Sequence, residues 1–168
     1  MFLFCSLFAL GQSKKEIDDG IFVTFPTIPE YEANTKTTTY IAKTDNCLYM
    51  TIVQLNVIPN YPQYVQAKKK FTAAEIKKIE DSFLDNVVQG KLGYTDSKGS
   101  ISEIKMGQFS GRKVEYSALN IATGERGKRF AVLLMVRNQL INFECFYLLD
   151  NEVSKIEKDK FLNSIQIQ

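Results

Sequence analysis

The chain has 168 residues, 45% hydrophobic and 24% charged, with a formal net charge of +2. That is room for one domain with its own core, of ordinary globular composition, and too little charge to argue for nucleic acid or an anionic membrane surface as partner. Histidine is absent, and with it go the commonest general base, the commonest transition-metal ligand and the Ser-His and Cys-His pairings of most hydrolases. No catalytic residue, cofactor or metal site is expected.

Residues 1–11, MFLFCSLFALG, are apolar, uncharged and too short to span a bilayer as a helix. Ala9 and Gly11 stand at the small-residue positions of a cleavage site before Gln12, so the stretch reads as the C-terminal part of a signal peptide. Phe4, bulky where a lipoprotein site carries a small residue, argues against modification of Cys5. An extracytoplasmic protein, periplasmic or secreted and not integral to a membrane, is expected.

Residues 12–19 read as a polar lead-in, and 20–168 as a single domain. GIFVTFP (20–26) gives a short strand stopped by Pro26 and Pro29, which lack amide donors. Residues 31–36 read as loop. Strands follow at 38–43 and 47–58, around a tight turn at Thr44-Asp45-Asn46. IPNYPQY (58–64) reads as a proline-bearing loop with two tyrosines. Thr72 and Glu75 form a capping box for the best helix in the chain. Its apolar stripe is Ile76, Ile79, Phe83 and Val87, flanked by Leu84 and Val88, and Gly90 is placed to end it. Lys77, Lys78, Asp81 and Asp85 read as its solvated face.

A glycine-rich connection (90–100) leads to a strand at 101–109, and residues 110–149 read as a three-strand meander. In its first strand Val114, Tyr116 and Ala118 alternate with Lys113, Glu115 and Ser117, a half-solvated pattern. The second is apolar on both faces, Phe130 to Val136, as a covered central strand requires. The third sets Ile141, Phe143, Cys145 and Tyr147 on one face, with Asn142 and Glu144 on the other. The closing helix, 152–164, is capped by Asp150 or Asn151 and expected to turn Val153, Ile156, the Lys160 stem and Phe161 inward. The fold class is α+β: a mainly antiparallel sheet of about seven strands packed with helices.

GIFVTFP with Pro29, the GRKVEYS strand after Phe109, FLNSI near the C-terminus and the spacing of the central helix resemble the PsbP-like α/β/α sandwich, a fold shared with the Ran-binding Mog proteins and found in small bacterial envelope proteins of unknown role. The resemblance spans 20–167. It implies binding or adaptor work and no catalysis. The PsbP N-terminal extension that serves a manganese cluster has no counterpart here, and a secreted chain has no access to the nuclear GTPase that Mog proteins engage.

Several constellations have competing readings. Cys47 and Cys145 pair as a disulfide in an oxidising compartment, or stay buried as small hydrophobes. Gly124-Glu125-Arg126-Gly127-Lys128 lacks the Ser/Thr and the strand-to-helix context of a phosphate loop and reads as a charged hairpin turn. Arg112, Lys113, Arg126, Lys128 and Arg129 gather at one end of the meander for an anionic partner, or form an ordinary solvated edge. Tyr61 and Tyr64 are recognition aromatics, or a lid on the sheet. The expected function is a non-catalytic binding or adaptor protein of the bacterial envelope, its partner a protein. The alternative is a carrier of a small apolar ligand held between helix and sheet.

Overall fold

The computed structural model describes residues 11–95, 99–119 and 124–168. The signal-peptide reading lies outside the described residues apart from Gly11, as do residues 120–123. Seven antiparallel strands form the main sheet. In chain order they are β2 to β8 of this scheme: β2 (Glu30–Ala33), β3 (Thr37–Lys43), β4 (Cys47–Leu55), β5 (Ser100–Met106), β6 (Phe109–Leu119), β7 (Arg126–Val136) and β8 (Gln139–Tyr147). They lie side by side as β2-β3-β4-β8-β7-β6-β5. A smaller sheet is built from β0 (Ser13–Asp18), β1 (Ile21–Phe25) and β9 (Gln166–Ile167), with β1 in the middle. The helices are α1 (Tyr61–Lys68), α2 (Ala73–Gly93) and α3 (Glu152–Asn163). An antiparallel sheet packed against helices is the fold class expected from the sequence.

The supposed lead-in is strand β0, which turns through Asp19 and Gly20 (φ +72°) to pair with β1. Its sequence, SKKEID, hides it because Ile17 is its one buried residue. Residues 31–33, expected as loop, belong to an exposed edge strand, Glu30–Ala33, paired with β3. Strand β4 stops at Leu55, earlier than expected, where Asn56 turns into the left-handed region at φ +56°.

Each face of the main sheet has its own core. On the back face Tyr49, Val53, Val132, Leu134, Ile141 and Phe143 meet β1 and α3. Phe161 of α3 sits 5.3 Å from the Phe25 ring and 5.1 Å from Tyr49. That insertion, with the buried Ser154 hydroxyl donating to the Leu149 carbonyl, sets the rotation of α3. Val153 and Ile156 therefore face outward at 49% and 54% exposure, opposite to expectation, and Leu162 points in.

On the front face Leu84, Val88 and Leu92 of α2 pack on Val114, Tyr116, Ala131, Leu133 and Met135. The capping box is present: the Thr72 amide donates to Glu75 Oε2 at 2.8 Å, and Glu75 N to Thr72 Oγ1 at 3.3 Å. The helix does not end at Gly90 but runs to Gly93. Leu92 lies beyond Gly90 and is buried, and tertiary packing of this kind outweighs a glycine's poor propensity of about 1 kcal/mol. Among the described residues no helix is long and apolar enough to cross a membrane.

Candidate functional site

The expected tyrosine loop is helix α1. Asn60 takes the left-handed conformation at its N-cap, and Pro62 falls in the first turn, where its missing amide costs no helical hydrogen bond. Helical spacing then sets Tyr61 and Tyr64 on one side, stacked with ring centroids 6.1 Å apart. Lys68, one turn on, reaches over the Tyr64 ring at 5.9 Å and pairs with Glu80 of α2 at 2.9 Å. The second Glu80 oxygen accepts from Ser110 Oγ of β6 at 2.8 Å. One carboxylate thus ties α1, α2 and the sheet together. Burial works against the Lys68 charge, but Glu80 outweighs it and lifts the ammonium above its ordinary value. Burial pushes the Tyr64 phenol up, so it stays a neutral donor.

Beside the tyrosines lies a depression of about 210 Å³, floored by Phe109 and Met135 and rimmed by Arg137. Lys68, Glu80 and Gln108 are shared with a second depression of about 600 Å³ that follows the first turns of α2 over β5 and β6. The two make a continuous groove. Its aromatic end carries the stacked pair, and its far end is ionic, lined by Lys77, Asp81, Glu103 and Arg112. Such a groove offers flat aromatic area, two signs of charge and hydroxyl and amide partners.

The cations expected at one end of the meander do not form one patch. Arg112 is opposite Leu133 on the front face, far along β6 from the hairpin end, and its side chain is 2% exposed beneath α2. Its Nε donates to Asp85 at 2.7 Å and an Nη to Asp81 at 3.0 Å. Arg112 is therefore a buried staple between α2 and the sheet, and not a free contact for a partner. Lys128 pairs with Asp150 at 2.7 Å. Arg129, opposite Tyr116 on the front face and away from Lys128, lies over the Phe146 ring at 4.7 Å and reaches Glu144 at 3.2 Å. Arg126 and Lys113 are exposed, and Arg126 borders a depression of about 320 Å³ with Lys43 and Phe146. The alternation of strand side chains scatters these residues.

Glu144 anchors a second ionic cluster. It is 2% exposed and accepts from Lys91 (2.5 Å), Tyr116 (2.7 Å), Asn142 (3.0 Å) and Arg129. Burial opposes its charge, yet Lys91 and the hydrogen bonds from Tyr116 and Asn142 hold its carboxyl down to about 2. Cys47 and Cys145 are free, fully buried thiols on the back face of neighbouring strands, diagonal to one another at two register positions' offset. The contact with Cys47, together with burial, pushes Cys145 up, while the same contact draws Cys47 down. Among the described residues no group of three or more Cys, Asp or Glu is gathered as a metal would need.

No family model matches the chain, and no curated protein does. A similar solved structure is that of PA94, a protein of unknown function from Pseudomonas aeruginosa. It is 7% identical over 81% of this chain and 82% of that one, with a TM-score of 0.39. A likeness that faint carries no functional argument.

Tyr61 and Tyr64 were legible as aromatic candidates because they sit among Pro59 and Pro62. Their partners were not. Lys68 sits in a lysine run and Glu80 in a row of scattered carboxylates, and only the packing of α1 against α2 joins them.

Proposed function

We propose that the chain is a non-catalytic binding or adaptor protein, extracytoplasmic in the bacterial envelope, that receives a segment of a protein partner in the groove between α1, α2 and the β5–β6 hairpin. The observation that carries this reading is the Tyr61–Tyr64 stack at one end of an open groove, backed by the Lys68–Glu80 pair. Tyrosine offers rigid contact area with a polar tip, the property that enriches it at interface hot spots. The resemblance to the PsbP-like sandwich fits the same reading. Crosslinking pull-down of the tagged protein from an envelope fraction, with mass spectrometry, tests it. One dominant partner, lost with Tyr61→Ala/Tyr64→Ala while the fold is kept, is the expected result. A partner captured equally by both forms would remove the groove from the reading.

A second reading, a carrier for a small apolar ligand, draws on a cavity of about 300 Å³ between β1, β4 and α3, lined in part by Phe25, Tyr49 and Phe161. The groove under α2, by contrast, is mostly ionic. Native mass spectrometry of the purified protein distinguishes the two: a retained small molecule supports the carrier, and an unliganded mass supports the adaptor.

A further inference from the structure

Register along the main sheet shows which side chains share the front face. Directly opposed residues project to the same side, so one row runs Glu30, Ile41, Met50, Glu144, Ala131 and Val114, and the next runs Glu32, Thr39, Ile52, Asn142, Leu133 and Arg112. Helix α2 covers the β6 and β7 ends of these rows. At the other end Ile41, Leu48, Met50 and Ile52 are only half-buried and join neither core. This apolar shelf has borders of opposite sign. On its β2 side stand Glu30 and Glu32, both exposed. On its α2 side stand Lys91 and Arg129, two cations sharing the single carboxylate of Glu144.

We propose that this shelf is a self-association face, on which two copies of the chain pack front to front about a two-fold axis parallel to the strands. That operation sets β2 of one copy over β8 of the other. By register Ile41 of β3 then meets Met50 of the partner's β4, with Thr39 over Ile52 and the exposed Lys43 over Leu48. The operation keeps the rows, so Glu30 of each copy comes over the Glu144 cluster of its partner, where two cations, Lys91 and Arg129, outnumber the one carboxylate, and Glu32 comes over Asn142. A two-fold perpendicular to the strands would put glutamates against glutamates, and like charges opposed across an interface are costly. The charge pattern is thus self-complementary in one orientation, as an isologous contact requires. The stacked sheets would lie about 10 Å apart, the depth that α2 already occupies beside the shelf. The groove with Tyr61 and Tyr64 is left free, so the proposal stands apart from the adaptor reading.

Sedimentation velocity of the purified protein, from about 1 to 100 μM, reads the association directly. A concentration-dependent dimer is expected. Met50→Asp and, separately, Glu30→Lys/Glu32→Lys should each raise its dissociation constant at least about tenfold, roughly 1.4 kcal/mol. Lys78→Glu, on the exposed side of α2, should leave it unchanged. Circular dichroism and thermal melting establish that each variant is folded. A monomer across the whole range, or a dimer indifferent to both shelf variants, would overturn the proposal.

Discussion

The two faces of the main sheet are held by different physics. The back face is closed by hydrocarbon: α3 and the small sheet lay Ile21, Val23, Phe25, Phe161 and Leu162 over it. The front face is closed over only part of its width, and there the contact is threaded with charge, Arg112 under Asp81 and Asp85, Glu144 under Lys91. Apolar burial stabilises without direction. Ionic staples act at one place and are costly when half-removed. A single helix fixed by such staples stays over β6 and β7 and does not spread across β3 and β4. The open shelf is a consequence of how α2 is anchored.

Substitutions on each face test this contrast. The largest effect belongs to the back face: Phe143→Ala empties a fully buried site and should cost about 3–5 kcal/mol in urea unfolding. On the covered part of the front face Glu144→Ala leaves Lys91 and Arg129 facing each other without their carboxylate, and should cost about 3 kcal/mol at neutral pH. That loss depends on pH. The folded carboxyl titrates near 2, below its ordinary value, so its contribution is full above the ordinary value and disappears as pH falls through about 2. Unfolding curves of both proteins should therefore converge on acidification, whereas a constant gap would point to packing alone. The smallest effect belongs to the open shelf. Met50→Gln in the monomer should stay within about 0.5 kcal/mol of the parent, and a cost of several kcal/mol would mean that the shelf is covered.

The apolar meander was legible because its strands carry alternation or continuous hydrophobic runs, and the start of α2 because a capping box is a local signal. Elements stabilised by pairing were not. Strands β0 and β2 are mostly polar and exist because β1 and β3 offer them edges. The inward face of α3 was misread because Val153 and Ile156 look like a core stripe, while the actual contact is chosen by the gap that Phe161 fills. Arg112 looked like surface charge, since nothing local tells an exposed cation from one buried under a helix whose Asp85 and Asp81 lie 27 and 31 residues earlier in the chain. The shelf was hidden for a related reason. Leu48, Met50 and Ile52 make β4 apolar on both faces, the mark of a covered strand, and the width of the layer above is set by tertiary packing.

Methionine oxidation compares the two parts of the front face in one experiment. Met50 is half-buried on the shelf, and Met135, on the same face, is 8% exposed beneath the helices. Mild peroxide treatment with peptide mass spectrometry, on dilute and then concentrated protein, would follow both. Fast oxidation of Met50 and slow oxidation of Met135 are expected when the protein is dilute, with Met50 alone becoming protected as concentration rises. Equal, concentration-independent rates at the two sites would contradict it.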